Sequence, residues 1–156
     1  MTGYDIIQKA NGHLGEKYIL GSLAQKNNPD YKGPWDCAEF VSWVIYQVTG
    51  KLYGCADNRS QHPASADAGT IYWARDCKEN FVKTISITEA RSTPGAILLR
   101  VAGEGQDGHI VISMGNGKTI EAHGHADGVV NNVTDGRRWT YGILIPGINY
   151  TSQTSI

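Results

Sequence analysis

The strongest chemical signal in this sequence comes from Cys37, which stands directly before an apolar pattern of helical spacing. Asp36 precedes that pattern and Glu39 lies three residues further on, which is typical of a capping box at a helix start. The spacing predicts that Cys37 is the first helical residue, where free backbone N–H groups and the helix dipole favour a thiolate. The same N–H groups can stabilise an oxyanion. Cys37 is therefore the candidate nucleophile, and the alternative is a small buried structural cysteine.

A thiol nucleophile requires a base that takes its proton, and His109 is the candidate for this role. It begins the apolar segment 108–112, and the glycine-rich loop before it would leave its ring accessible. The alternative is that His109 is an ordinary half-buried strand residue with a hydrogen bond. The presence of Cys37 favours the catalytic interpretation.

Two polar residues of the next predicted strand, Glu121 and His123, could orient this base. They are two residues apart and therefore point to one face of the strand. A two-residue loop at 116–117 would turn both side chains away from His109. A three-residue loop at 115–117 would place His123 opposite His109 and Glu121 diagonal to it. The sequence leaves this register open, and the alternative is that both residues simply face solvent.

The remaining redox and metal-binding residue types give weaker signals. Cys55 and Cys77 have no helix-start setting, and they fit structural thiols or, in an oxidising compartment, a disulfide. The chain has no Cys-x-x-Cys pair, and its five histidines lack the spacing of zinc ligands. We therefore expect no metal site and no cofactor.

Hydrophobic periodicity predicts helices in the first half of the chain and strands in the second. Helices are predicted for 4–14, 37–49 and 65–77. Strands are predicted for 96–101, 108–114, 119–123, 128–133 and 140–145. This order indicates an α+β fold with N-terminal helices packed on an antiparallel sheet of about five strands. A length of 156 residues fits a single catalytic domain, 1–156.

Composition and charge exclude several classes of partner. The 14 basic and 15 acidic side chains give a formal net charge of −1, so no basic excess suggests nucleic acid. No apolar run approaches the roughly 18 residues of a membrane span. The N-terminal residues have neither the basic region nor the apolar core of a secretory signal, so we expect none in this chain.

Four segments resemble, in order, the motifs of the NlpC-type cell-wall peptidases, a papain-like family. They are YILG at 18–21, DCAEFVSWV at 36–44, PGAILL at 94–99 and GHIVISMGNGKTIEA at 108–122. These segments are similar to the family's tyrosine-glycine segment, its Asp-Cys-Ser-Gly helix start, its Pro-Gly-Asp strand and its histidine hairpin. The resemblance covers roughly residues 14–145 and implies a papain-like fold.

The resemblance implies a cysteine endopeptidase or amidase of bacterial peptidoglycan. Members cleave the γ-D-glutamyl bond to a diamino acid in stem peptides, or related amides. Cys37 and His109 match the family's nucleophile and base. Glu121 aligns with its third catalytic residue, and His123 is the alternative. We prefer Glu121 because an ionised carboxylate is the better acceptor for an imidazole N–H.

The resemblance also implies that Tyr18 and Asp36 line the substrate side, but the chain departs from the family pattern at two places. Ala38 and Glu39 replace the usual Ser-Gly after the nucleophile, and Ala96 replaces the aspartate of Pro-Gly-Asp. The family's serine helps to bind a free amine of the substrate. Glu39 could bind such an amine, although the capping role is the preferred interpretation.

Two other functions stay open at this point. One is an acyltransferase or lipid hydrolase on the same papain-like scaffold, and the other is a catalytically inactive wall-binding domain. The preferred interpretation implies peptidoglycan peptides as partners and action at the bacterial wall, in the periplasm or outside the cell. A delivery machine or an inhibitory immunity protein would be a further partner. The sequence does not determine the oligomeric state.

Overall fold

The computed structural model describes residues 1–151, which form four helices and six strands. The helices are α1 (Gly3–Asn11), α2 (Cys37–Thr49), α3 (Thr70–Lys78) and α4 (Ile87–Ser92). The strands are β1 (Lys83–Ile85), β2 (Ile97–Arg100), β3 (His109–Ser113), β4 (Lys118–Gly124), β5 (Gly128–Val133) and β6 (Tyr141–Leu144). Within this described range, no helix is long and apolar enough to cross a membrane.

The strands form one antiparallel sheet in the order β1-β6-β2-β3-β4-β5. The predicted α+β class is confirmed, but the sheet has six strands rather than about five. The additional strand, β1, has three residues and, within residues 1–151, pairs only with β6 at the sheet edge. It is too short to show an alternating pattern. The six-residue helix α4 is not predicted either, because it buries one side chain, Ala90, and so shows no apolar periodicity.

Each face of the sheet buries its own apolar side chains, because neighbours along a strand point in opposite directions. On one face, Leu99 and Ile110 join the main core, which also contains the buried residues of α2. On the other face, Leu98 and Val111 form a smaller cluster. His109 lies two residues before Val111, so its side chain belongs to the face of the smaller cluster.

Helix α2 occupies its predicted range and is almost completely enclosed. Residues 38–45 are all buried. The helix ends at Gly50, which adopts the left-handed conformation with a φ of 74°. This burial fixes the position of the first residue, Cys37, relative to the sheet.

Two other helices differ from their predicted bounds. Helix α1 ends at Asn11, with Gly12 as its cap, and Leu14 is exposed rather than part of a buried face. Helix α3 begins at Thr70 rather than at residue 65, because the preceding segment makes other contacts. In that segment Ala68 donates its N–H to the Glu39 carboxylate at 2.7 Å.

The hairpin between β3 and β4 has the three-residue loop 115–117. Met114 N–H donates to the carbonyl of Lys118 at 2.8 Å, and Ser113 pairs with Thr119. Gly115 has a φ of 91°, and a Cβ there would lie 2.6 Å from Pro94 Cγ. Only glycine fits this position, so the odd-length loop fixes the register.

Candidate active site

Cys37 is the first residue of α2, as the capping pattern predicts. The Asp36 carboxylate accepts a hydrogen bond from the Glu39 N–H at 2.8 Å, and Asp36 itself is extended. Ala38 N–H and Cys37 N–H belong to the first helical turn, which has no preceding carbonyls to accept from them. A half-buried thiol therefore stands beside free amide donors.

The surroundings of the thiol act against the thiolate that the helix start favours. Burial raises the pKa of Cys37 to about 12, and the neighbouring negative charge of Asp36 adds to this increase. Backbone N–H groups of Ile110, Ala38 and Cys37 itself act in the opposite direction. The contribution of Ile110 locates the sulfur beside the start of β3, next to His109. Such a thiol needs a base at the moment of attack.

Glu39 does not complete the capping box that its spacing suggests. Its carboxylate accepts from the N–H groups of Ala24 at 2.8 Å and Ala68 at 2.7 Å, and it pairs with the Lys26 ammonium. Both charged side chains are completely buried. The amine that Glu39 binds is therefore that of Lys26 in the same chain, because the loops that carry Lys26 and Ala68 pack around the start of α2.

The His109 ring is held by Glu121. The distance between His109 Nε2 and Glu121 Oε1 is 2.9 Å. Burial alone would raise the pKa of Glu121, but hydrogen bonds from His109, Arg137 and Thr119 outweigh it and lower the pKa to about 2. An ionised carboxylate only accepts, so the neutral ring carries its proton on Nε2 and its lone pair on Nδ1.

The Nδ1 atom of His109 is the ring nitrogen that the bond to Glu121 leaves unused. In residues 1–151, every buried side-chain nitrogen or oxygen has a hydrogen-bond partner. His109 Nδ1 makes no hydrogen bond within that range, and neither does it bond to the Cys37 sulfur. Catalytic hydrogen bonds are often long in substrate-free enzymes and tighten only in the substrate complex. Nδ1 is therefore the atom available to take a proton.

Burial lowers the pKa of His109 below its ordinary value. The positive charges of Arg137 and Arg100 act in the same direction, whereas the hydrogen bond and charge of Glu121 oppose it. The result is a neutral imidazole beside a neutral thiol. This is the pair of protonation states that general-base activation of a thiol requires.

His123 lies beside His109 but does not bond to it. The two ring centroids are 6.0 Å apart with the rings edge-on, and His123 Nδ1 is 2.7 Å from Asp127 Oδ2. The strand is irregular between Ala122 and Gly124, which turns the His123 side chain outwards. Of the two predicted orienters, the structure brings Glu121 to the base and leaves His123 with Asp127.

Arg137 is a residue of this site for which the sequence alone gives no signal. It lies in the loop between β5 and β6, next to a second arginine, and this context indicates only a charged surface residue. Its Nη1 and Nη2 donate to Oε2 and Oε1 of Glu121 at 2.9 and 2.6 Å. One general signal could have indicated it: if Glu121 is buried, its carboxylate needs a positively charged partner.

Tyr18 lies close enough to the thiol to interact with it electrostatically. Its segment forms a parallel bridge with Trp35, two residues before Cys37. Burial raises the pKa of Tyr18 to about 12, and the charges of Cys37 and Asp36 add to this. Its phenol is therefore a hydrogen-bond donor near the sulfur at every physiological pH.

The other cysteines are free thiols away from this arrangement. Cys55 is buried in the core and Cys77 lies on α3, and neither forms a disulfide. Burial raises the pKa of Cys55 to about 11 and that of Cys77 to about 12. In the described part of the chain, no group of three or more His, Cys, Asp or Glu residues could hold a metal ion.

The sheet, the helix that starts at Cys37 and the hairpin that starts at His109 define the NlpC/p60 fold, which is papain-like. The chain aligns with the NlpC/p60 domain of the peptidoglycan hydrolase SagA at 21% identity and a TM-score of 0.62, over 93% of this chain and 100% of that one. It aligns with the peptidoglycan hydrolase RipB from Mycobacterium tuberculosis at 18% identity and a TM-score of 0.62, over 92% and 64%.

A third similar structure is an NlpC/p60 family protein from Bacillus cereus, at 13% identity and a TM-score of 0.65, over 96% of this chain and 40% of that one. The chain therefore spans a whole SagA domain but less than two thirds of RipB and of the Bacillus protein. No protein-family model and no curated protein matches the sequence. At these identities the likeness establishes the fold.

Proposed function

We propose that the chain is a cysteine endopeptidase or amidase that hydrolyses peptide or amide bonds of bacterial peptidoglycan, with residues 1–156 as one catalytic domain. The observation that carries this proposal is the ionised Glu121 that fixes the His109 ring beside the helix start of Cys37. The similarity to SagA and RipB, which are peptidoglycan hydrolases, supports the substrate class.

The reaction starts when His109 Nδ1 takes the proton of the Cys37 thiol as the sulfur attacks the carbonyl carbon. The carbonyl π electrons move to the oxygen, which becomes an oxyanion. When the tetrahedral intermediate collapses, the C–N bond breaks and imidazolium returns the proton to the leaving amine. A water molecule, deprotonated by His109, then hydrolyses the thioester and regenerates the thiol.

Glu121 and backbone amides stabilise the charges that form in these steps. The Glu121 carboxylate accepts from His109 Nε2–H throughout, so it keeps the tautomer and stabilises the transient imidazolium. The N–H groups of Cys37 and Ala38 are the donors for the oxyanion. Tyr18 and Asp36 lie next to the nucleophile and line the substrate side.

An acidic substrate suits the charges around this centre. Arg100 lies opposite His109 in the register of β2 and β3. Its guanidinium is near enough to Cys37 to interact with it electrostatically. Arg137 is close to Arg100 in turn. Stem peptides carry carboxylates beside the γ-D-glutamyl bond to the diamino acid, and we propose this bond as the one cleaved.

Digestion of purified peptidoglycan, with new termini identified by mass spectrometry, tests the proposal. We expect new γ-D-glutamyl carboxylates with the wild-type protein and none with Cys37→Ala. The controls Cys55→Ala and Cys77→Ala remove buried thiols and should keep turnover. EDTA should not inhibit a thiol mechanism. Cleavage by Cys37→Ala at the wild-type rate would refute the nucleophile, and wall binding without any wild-type cleavage would favour an inactive binding domain.

A second candidate, a lipid hydrolase or acyltransferase, is favoured by one surface feature. The segment after Tyr18 exposes three apolar side chains: Ile19 by 50%, Leu20 by 82% and Leu23 by 45%. Exposed apolar side chains beside a reaction centre are typical of contact with a partner or a lipid. Release of fatty acid from phospholipid vesicles, lost in Cys37→Ala, would select this function over peptidoglycan hydrolysis.

A further inference from the structure

Arg137 binds the Glu121 carboxylate, which in turn orients the His109 ring. Its two terminal nitrogens donate to the two oxygens of Glu121, at 2.9 Å for Nη1 and Oε2 and at 2.6 Å for Nη2 and Oε1. Two parallel bonds of this kind fix the plane of a carboxylate as well as its position. The same Oε1 accepts from His109 Nε2. By fixing the carboxylate, Arg137 therefore also fixes the orientation of the His109 ring.

The Arg137 side chain is itself held in place. Nη1 also donates to the carbonyl of Val133 at 3.0 Å, and the guanidinium carbon lies 4.9 Å from the centre of the Trp139 ring. The side chain is only 17% exposed. Trp139 belongs to the smaller cluster on the same face of the sheet as His109. Because Val133 and Trp139 hold the Arg137 guanidinium in place, it can in turn fix the position of the Glu121 carboxylate.

We propose that Arg137 is a positioning residue for the hydrolysis proposed above: it fixes the Glu121 carboxylate against His109, and its charge offsets that of Glu121 so that the base rests uncharged. The proposal depends on the proposed function only for its kinetic consequences. The position and charge state of the His109 ring are properties of the resting protein and can be measured without turnover.

The charged and titratable groups around His109 come from every element packed on β3. Glu121 and His123 lie on β4, Arg100 lies on β2 and Cys37 starts α2, while Arg137 reaches in from the loop before β6. Helix α4 lies at the other end of β3, where the backbone carbonyl of Arg91 accepts from the Ser113 hydroxyl. Besides the His109 ring, Glu121 bonds to the uncharged Thr119 hydroxyl and to Arg137, and Arg137 is the charged partner among these groups of residues 1–151.

Three variants separate the position from the charge. Arg137→Gln removes both, so Glu121 becomes an uncompensated anion and His109 should bind its proton more tightly. Its titration, followed by NMR of the ring, should move to higher pH than in the wild type. Because the base must be neutral, the acidic limb of kcat/KM should move to higher pH with it. kcat should fall roughly tenfold to a hundredfold from misorientation of the ring.

Arg137→Lys keeps the charge but cannot make two parallel bonds. We expect a reduced kcat with the His109 titration and the acidic limb close to those of the wild type. The matched control is Arg138→Gln, since Arg138 bonds to Gln106 Oε1 and to the carbonyls of Val101 and Gly103 rather than to Glu121. This control should change neither the His109 titration nor kcat.

An unchanged His109 titration in folded Arg137→Gln would overturn the charge role, and an unchanged kcat in Arg137→Lys would overturn the positioning role. Thermal unfolding establishes that each variant is folded. If Arg137→Gln does not fold, Arg137→Met removes the charge in its place, and Arg137→Lys still tests the positioning role. Absence of peptidoglycan cleavage by the wild type would refute the proposed function alone, because the NMR titration still reports on Arg137.

Discussion

The ammonium of Lys26 and the carboxylate of Glu39 form an ion pair in which neither side chain has any exposure to solvent. Glu39 lies on the first turn of α2, two residues after Cys37. Lys26 also donates to the carbonyl of Ala66, and Glu39 accepts from the Ala68 N–H at 2.7 Å. The pair therefore ties two loops that are distant in sequence to the helix start that carries the nucleophile.

Removing one partner of this pair should be far more harmful than removing both. Lys26→Met leaves the Glu39 carboxylate buried and unpaired, and we expect it to lower the free energy of unfolding by about 3 to 5 kcal/mol. The double variant Lys26→Met, Glu39→Gln removes the charge as well and should recover part of this loss. Urea unfolding measures both.

The control is Lys32→Met, because Lys32 is an exposed residue of the same loop. It should change the free energy of unfolding by less than about 0.5 kcal/mol. A Lys26→Met protein as stable as this control would contradict a structural role of the ion pair.

The raised pKa of Cys37 predicts the pH dependence of its alkylation. Burial raises the pKa of this thiol to about 12, so the thiolate fraction grows tenfold per pH unit throughout the neutral and mildly alkaline range. The rate of inactivation by iodoacetamide should therefore rise continuously from about pH 6 to about pH 10. Mass spectrometry of the modified peptide should assign the label to Cys37.

A plateau of that rate above mildly acidic pH would indicate a stable thiolate and contradict the burial argument. Cys37→Ala, which keeps Cys55 and Cys77, is the control and should take up no label in the same time. Cys55 and Cys77 are buried thiols, and burial raises the pKa of each.

Glu121 and His123 should differ strongly in their effect on turnover. Glu121→Gln can keep a hydrogen bond to His109 but loses the charge that stabilises imidazolium, so kcat/KM should fall about a hundredfold or more. His123→Ala removes a ring that bonds to Asp127 rather than to His109, so it should cost less than about threefold. Steady-state hydrolysis of a stem peptide compares the two, and equal losses would mean that they share the orienting role.

Glu121 should also make stability depend on acidic pH. Its pKa is lowered to about 2 in the folded protein, so its contribution is complete above the ordinary pKa of 4.5 and is lost as the pH falls from there towards about 2. The free energy of unfolding of the wild type should therefore decrease over this interval by roughly 3 kcal/mol from this group. Glu121→Gln should flatten the curve there, and an unchanged slope would contradict the assignment.

Local signals in the sequence determined the parts of the site that depend on neighbouring residues. The Asp36 cap bonds to an amide three residues away, and Gly50 ends the helix by its own backbone freedom, so the range 37–49 could be predicted. The apolar segments likewise located β2 to β6. The candidate nucleophile and base follow from these element starts, because their positions are fixed by local hydrogen bonds and periodicity.

Tertiary structure decided everything that required two distant segments to meet. The contact of Pro94 with Gly115 accompanies the odd-length loop, and that register brings Glu121 rather than His123 to His109. Burial of the helix start raises the pKa of the Cys37 thiol, against the effect of the helix amides. The partners of Glu39 and the role of Arg137 come from loops whose sequences carry no pattern. Buried charges find their partners by packing over long sequence distances, and such pairings leave no local periodicity to read.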